Sequence, residues 1–472
     1  LENSHKVNIQ EEVMNEQVIK KMQEIVGEDW VVTDRDKVST YCEDETERAM
    51  KPKVCTDCAV VKPSKTEEIS EIMKYANKNN VVVVARGGGT SLSGAAVTIM
   101  PSIIVSMERM NKIIEVDETS LTVECEGGVT LLQLTELFNK HDSLYFPIHP
   151  GDEGAQVGGL VVMNAGGVRA VRYGVMRDQV KALEVVLPTG EIINLGGKLI
   201  KNNAGMDIKN LIIGSEGILG IVTKATLAIR PKDKYTGSLV VSFNDENDAV
   251  KAVTEIFKKG IRPLAIEYME KTAILRAAKD IGLTWPSNEG NIDLYFIVSE
   301  RKEEDLYEMY ETIVGICEEN NASDSFVAES SKDQRNILDI RSHVYPSMHD
   351  DMVDAIDAAV PIKNLSKYMK GIGEIAVKYN VEISTIGHIG DGNMHNSILN
   401  KGAVKPDNYE ELADEIFKLV IECEGALTGE HGIGKVRNSK LKLQFSETEL
   451  RLMKEIKNVF DPNNILNPGT AI

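Results

Sequence analysis

The chain lacks any apolar run approaching the roughly 18 to 20 residues that a membrane span requires. Nor does it open with a basic stretch followed by an apolar one, so no membrane span is expected and the location read from the sequence is cytoplasmic. Positive charge is in short supply: 53 Lys and Arg stand against 73 Asp and Glu, a formal net charge of −20. Nucleic acid and anionic lipid would both be repelled, while a cationic small molecule or a protein partner remains allowed. Cysteine is sparse, six residues in all, and only Cys55 and Cys58 share a CxxC spacing. One such pair cannot close a four-thiolate zinc or iron–sulfur site. A redox CxxC opens a helix, whereas here "CAVV" leads into an apolar strand. Inert thiols in a reducing compartment are expected. Internal repeats and low-complexity segments are missing as well.

What is present is a globular composition, 42% hydrophobic and 27% charged, spread over 472 residues. That length exceeds one simple core, so two or three domains are expected. Residues 1–13 are polar and unpatterned and read as a start-site remnant. "SKTEEISEIMKYANKN" (64–79) puts Ile69, Ile72, Met73 and Ala76 on one helical face, with Ser64 and Glu67 at capping-box spacing. A strand "VVVVA" (81–85) follows, then the turn "RGGGTSLSGAA" (86–96). A second helix, Thr130 to Lys140, again opens with a capping box, Thr130 and Gln133. Glycine is dense from about 150 to 230, which implies backbone lying close to a ligand or many positive-φ turns. "RPKDK" (230–234) then marks a boundary, beyond which helical and strand patterns alternate as in an α+β domain. The reading divides the chain into 14–234, 235–425 and a C-terminal segment 426–472.

"RGGGTSLSG" offers consecutive backbone N–H groups with Thr and Ser hydroxyls, a nest suited to pyrophosphate. It has no Gly-Lys-Ser/Thr of a Walker loop, and no long helix follows at once as the dinucleotide fingerprint requires. Taken alone it fits either a phosphate cradle or a ligand-free tight turn.

Six ordered motifs go further. "RGGGTSLSGA", "VGGLVVMNAGGVRAVRYGVMRD" and "GSEGILGIVTKATL" resemble the FAD-binding domain of the vanillyl-alcohol oxidase and p-cresol methylhydroxylase (PCMH-type) superfamily. "GHIGDGNMH", "GEHGIGKVR" and "DPNNILNPG" resemble one branch of it, the FAD-linked D-lactate dehydrogenases and glycolate oxidase D subunits. The likeness runs from about residue 20 to 470. It implies an α+β chain: a PCMH-type FAD-binding domain, a substrate (cap) domain with an antiparallel sheet, and a C-terminal segment returning to the flavin. By the same likeness Arg86, Gly87, Gly88, Gly89, Thr90, Ser91, Gly94 and Ala95 would wrap the FAD pyrophosphate. Pro150, Gly158, Gly159, Asn164 and Gly167 would line the flavin and ribityl chain. Glu216, Gly217 and the backbone near Ile221 would meet the adenosine end, and Asn467 the ring. Relatives with covalent flavin carry a histidine in or near the first glycine loop. This loop has none, so FAD is expected to be non-covalent.

The chain holds only eight histidines, and three of them fall in two glycine-rich turns. His388 and His395 should flank the turn "IGDGNM" and converge across it, with Glu430 adding an oxygen ligand. Two imidazoles and one carboxylate suit a divalent transition metal such as zinc, manganese or iron. His431, if the segment is extended, points away from Glu430 and is free to act as a base, the role the family pattern gives it. Arg341 lies where family members carry the guanidinium that grips the substrate carboxylate, with Arg335 a neighbouring candidate. Relatives acting on 2-hydroxyglutarate add a lysine after this helix. "DMVDAIDAAVP" has none, which points to a small monocarboxylate. The expected activity is FAD-dependent oxidation of a small D-2-hydroxy acid, D-lactate first. The alternatives are glycolate or 2-hydroxyglutarate oxidation with iron–sulfur subunits or quinone, a non-catalytic flavin-binding subunit, and an ether-lipid synthase. With no haem-attachment CxxCH and no second dinucleotide fingerprint, electrons should leave to a partner, an electron-transferring flavoprotein by family likeness.

Overall fold

A computed structural model describes residues 14–472, so the reading of 1–13 lies outside the described residues. The N-terminal half is built on two larger sheets and a two-stranded one, Leu144–Tyr145 paired with Arg230–Pro231. The first has four strands, with Cys58–Val61, Ser102–Ser106 and Val83–Arg86 running parallel and Val31–Val32 antiparallel at one edge. Helix Thr66–Asn79 covers it, and Ile69, Ile72, Met73 and Ala76 are fully buried on its inner face. That helix starts two residues later than the sequence reading had it, and the Ser64–Glu67 capping box does not form. Glu68 stands at the third helical position instead and accepts the Ser64 N–H at 2.7 Å. The Thr130–Gln133 box does form, at the head of Leu131–Asn139. The strand read at 81–85 runs from Val83 to Arg86, because the Val81 N–H still closes the preceding helix on Ala76.

Beyond its last helix, Glu447–Phe460, the chain returns to the edge of this sheet. Val83 N–H donates to Ile465 and Asn467 N–H donates to Val83, which brings Asn467 beside the glycine loop leaving Arg86. The second sheet is antiparallel and five-stranded. It closes over Leu131–Asn139 and Val157–Met163 with a core that includes Val123, Leu134, Val161, Val185 and Leu227.

The remaining sheet has seven strands, all antiparallel, in the order Asp324–Ala328, Tyr235–Phe243, Ile292–Glu300, Ala265–Glu270, Glu382–His388, Asn393–Leu399 and Met352–Ala359. Alternation along Tyr235–Phe243 sends Leu239, Val241 and Phe243 into one core and Val240 into the other. Both faces are therefore covered. Glu246–Lys258, Glu303–Glu319, Leu365–Tyr379 and Tyr409–Glu422 pack on one side, and Lys271–Asp280 and Ser331–Ser342 on the other. A sheet roofed on both faces leaves few places for charge, so an acidic side chain in its strands needs a partner.

Candidate active site

The hairpin Glu382–His388/Asn393–Leu399 sets the first two groups. Its register pairs His388 with Asn393 and Ile386 with His395, so both imidazoles emerge on one face, their ring centroids 5.2 Å apart and nearly perpendicular. Gly392 closes the turn at φ +83°, packed against the Val360 carbonyl where a Cβ would collide. On the adjoining strand Tyr268 pairs with Gly387, which brings Glu267 beside His388. Glu267 Oε1 lies 2.6 Å from His388 Nδ1, and its Oε2 accepts from Arg341 Nε at 2.9 Å and from Arg341 Nη2. Burial opposes the Glu267 charge, but Arg341 and His388 outweigh it and hold the pKa at about 2. The Arg341 fork, expected to be free for substrate, is thus engaged on two of its nitrogens by an internal carboxylate. Arg335 makes no ion pair within 4.0 Å among the described residues.

The second turn differs from the extended segment anticipated. Asp357 Oδ2 accepts the Thr428 hydroxyl at 2.7 Å and the successive N–H groups of Gly429, Glu430 and His431 at 2.9, 2.8 and 2.8 Å. Three consecutive donors aimed at one oxygen require a curled backbone, since an extended one alternates them. His431 consequently does not turn away from the cluster. Its ring stacks on His395, centroids 5.0 Å apart and planes 12° from parallel.

Glu430 Oε1 stands 3.4 Å from His388 Nε2 and 3.5 Å from His395 Nε2. Donors bound about 2.0 to 2.2 Å from one zinc-sized ion are themselves roughly 3 to 3.5 Å apart, so this set could hold a metal. Asp357, His395 and His431 also lie within mutual reach, but nearly parallel stacked rings cannot both direct an in-plane lone pair at one ion. The electrostatics ready two members of the first set, His395 and Glu430, to meet a cation. Burial and then the neighbouring His431 push His395 down to about 4, leaving it a neutral donor. Burial opposes the Glu430 carboxylate too, yet His388 pulls its pKa below the usual range. His388 is raised well above the usual histidine range: burial opposes its charge, and Glu267 overcomes that. The Nδ1 atoms of His395 and His431 are buried without hydrogen-bond partners.

The residues read as cofactor contacts fall into three groups. Gly87 and Gly88 lie against the 154–159 segment, where a Cβ on Gly87 would sit 3.4 Å from Gln156 and one on Gly88 would strike the Gly154 carbonyl, while Gly89, at φ +79°, lies over the Arg86 guanidinium. Beside them Gln156 Oε1 is buried and unpaired, and Gly159 faces open space, a cradle with a free polar atom that fits a flavin nucleotide. Thr90, Ser91 and Gly94 continue the loop, with Ser91 and Ser93 hydroxyls 3.3 Å apart. Arg86 differs from its reading, since its guanidinium is tucked beneath Gly89 and donates to the carbonyls of Glu43 and Thr40. It buttresses the loop rather than facing a phosphate.

In the second group Gly167 packs directly on His149 and Pro150, Gly158 N–H donates to Gly127, and Asn164 ends its helix with its side chain accepting from Arg177. One residue before Gly167, a Cβ on Gly166 would lie 3.1 Å from Glu430 Oε2, so this segment adjoins the histidine cluster. In the third group, Gly217 has φ +73° and Ile221 opens a strand opposite Val186. Glu216 is not free for an adenosine: it accepts the N–H groups of Ile433 and Gly434 at 2.8 and 2.7 Å and anchors the turn that carries Glu430 and His431. Ala95 O accepts from both Asn467 Nδ2 and Lys435 Nζ. Sequence reasoning missed Glu267, Asp357 and Lys435. The signal available was an acidic residue inside an apolar strand, "AIEYME" and "DAIDAAV", which burial makes costly unless it is paired.

Comparison with known proteins gives the family of the chain. Residues 232–471 match the family described as FAD linked oxidases, C-terminal domain, and residues 58–196 match the FAD binding domain family. D-lactate dehydrogenase of Archaeoglobus fulgidus is 40% identical over 433 residues, 92% of this chain and 95% of that protein. D-lactate dehydrogenase of Anaerostipes hadrus is 34% identical over 420 residues, 87% of this chain and 88% of that one. Among solved structures, 4-ethylphenol oxidase from Gulosibacter chungangensis superposes with a TM-score of 0.77 at 18% identity, covering 96% of both chains, a likeness of fold.

Proposed function

The chain belongs to the FAD-linked oxidase family, and from that premise we propose that it oxidises a small D-2-hydroxy acid, D-lactate first, to the 2-oxo acid. The observation that carries the reading is the junction of Glu430 with Gly166: two histidines and a carboxylate, with His431 stacked beside them, adjoin the segment read as lining the flavin. FAD, when bound, would supply a hydride acceptor, and His388, His395 and Glu430 would hold a divalent metal that would make a hydroxyl more acidic. His431 takes the hydroxyl proton as the Cα hydrogen departs, which avoids a protonated ketone. Glu267 keeps the proton of His388 on Nδ1 and so leaves Nε2 as the donor. Arg341, a quarter exposed and holding Glu267 through Nε and Nη2, keeps Nη1 for the substrate carboxylate. No lysine follows in 352–361 to hold a second carboxylate, which supports a monocarboxylate.

FAD is bound without a covalent link, and electrons pass to an electron-transferring flavoprotein. The six cysteines are all free thiols and form no set for an iron–sulfur cluster. The test is anaerobic mixing of the purified flavoprotein with D- and L-lactate, glycolate and D-2-hydroxyglutarate. D-lactate should bleach the flavin fastest, and more slowly after metal stripping. Bleaching by none of them would overturn the reading, and rapid lactate-driven NAD reduction by the chain alone would remove the need for a partner.

A further inference from the structure

Lys435 is a half-buried cation whose hydrogen-bond partners are all neutral. Its Nζ donates to Ala95 O at 2.8 Å, Asn467 Oδ1 at 2.9 Å and, at a long 3.4 Å, Gly94 O. The acidic groups whose fields reach it, Asp44 and Glu216, are engaged elsewhere. Asp44 accepts the N–H groups of Thr46 and Ala96, and Glu216 those of Ile433 and Gly434. Three buried cations elsewhere are answered by a carboxylate, Lys271 by Asp293, Arg437 by Asp354 and Lys457 by Asp461, whereas Arg86, like Lys435, donates only to neutral groups. Burial draws the Lys435 ammonium down to about 8, the mark of a charge the apoprotein holds at a cost.

Its place explains what could answer it. Gly94 and Ala95 end the glycine loop, and Asn467 comes from the returning C-terminus, so Lys435 sits where both meet the catalytic turn. The loop's own cation, Arg86, is folded beneath Gly89 and spent on two carbonyls. FAD brings two phosphate charges, and its reduced ring can carry another. We propose that Lys435 is the cationic contact for the negative charge of bound FAD, on the pyrophosphate or the reduced isoalloxazine. Its long contact to Gly94 O is the one exchanged for a cofactor oxygen. The backbone N–H of Lys435 donates to Ser93 O at 2.9 Å, and five residues earlier stands Glu430. Cofactor charge and the catalytic turn are thereby held by one residue. The inference rests on FAD as cofactor and is independent of which hydroxy acid is oxidised.

Apoprotein of the wild type, Lys435→Met, Lys435→Gln and Lys435→Arg would be titrated with FAD and, separately, with ADP. The two-electron midpoint potential of each reloaded flavin would be measured alongside. Loss of the charge should weaken FAD about tenfold or more, and arginine should recover most of it. A parallel loss of ADP affinity assigns the contact to the pyrophosphate; unchanged ADP with a lowered potential assigns it to the ring. Lys435→Gln keeps a donor for the carbonyls, so it answers the question if the methionine variant does not fold. FAD affinity within twofold of wild type together with an unchanged potential, in either neutral variant, overturns the proposal. A wild-type chain that binds no FAD would sink it together with the cofactor assignment, whereas tight FAD without lactate oxidation would touch only the substrate reading.

Discussion

Glu267 Oε1 lies 2.6 Å from Nδ1 of His388, both groups almost wholly buried between two neighbouring strands. A carboxylate there stays ionised only because it is answered twice, by His388 and by Arg341, and in return it fixes the imidazole tautomer. Removing that charge while keeping the shape should loosen the metal set without touching a ligand. Glu267→Gln is expected to lower metal affinity by ~10- to 100-fold, measured by competition with a chromophoric chelator. Affinity equal to wild type would show that His388 needs no such partner.

His431 stacks on His395 outside the set His388, His395 and Glu430, so its loss should spare the binding of the proposed metal and of FAD. His431→Ala should retain metal and FAD yet reduce flavin about 10² to 10⁴ times more slowly, the usual scale for a missing general base. Metal lost in proportion to activity would move His431 among the ligands instead.

Arg341 distinguishes a substrate clamp from an internal one. If its main work is to answer Glu267, Arg341→Ala leaves that buried carboxylate to His388 alone and should lower stability by about 1.5 to 3 kcal/mol, read as a shift in the denaturant midpoint. A stable variant altered only in KM for the hydroxy acid would return Arg341 to the substrate alone. Arg341→Lys cannot reproduce the fork and should fall between the two.

The histidine turns were legible because glycine at 387, 390 and 392 and the residue types in them restrict both backbone and chemistry to few options. The helices with apolar faces were legible for a similar reason, since burial repeats every turn, as at Ile69, Ile72, Met73 and Ala76. What could not be read was which partner each charge would find. Glu216 and Arg86 sit in motifs that fit a cofactor, yet Glu216 anchors the turn at Ile433 and Gly434 and Arg86 caps the carbonyls of Glu43 and Thr40. Asp357 and Glu267 lie on strands distant in sequence from the motifs they serve, and only sheet order brings them there. The curl at 429–431 follows from Asp357, so the extended reading of His431 failed where a long-range carboxylate overrode local pattern.

Glu270 closes the strand that carries Glu267, and it gives the fold a pH dependence of its own. Burial first, with repulsion from Glu246 and Glu382, pushes its carboxyl up to about 7 against an ordinary value near 4.5. The Thr385 N–H and the Ser384 hydroxyl compensate only in part. Between those two values the folded chain keeps a proton that the unfolded chain has released. Stability from this group is therefore fully present below about pH 4.5, falls as pH rises toward 7, and stays at its lower level above. Glutamine keeps an acceptor for Thr385 and has nothing to ionise. Glu270→Gln should thus be more stable than wild type at about pH 8, by roughly 1 to 3 kcal/mol once partial solvent access is allowed for, and the difference should shrink toward pH 5. Denaturant unfolding of both proteins across that range measures it. A difference that is flat with pH, or that grows on acidification, would mean Glu270 is ionised in the folded protein throughout.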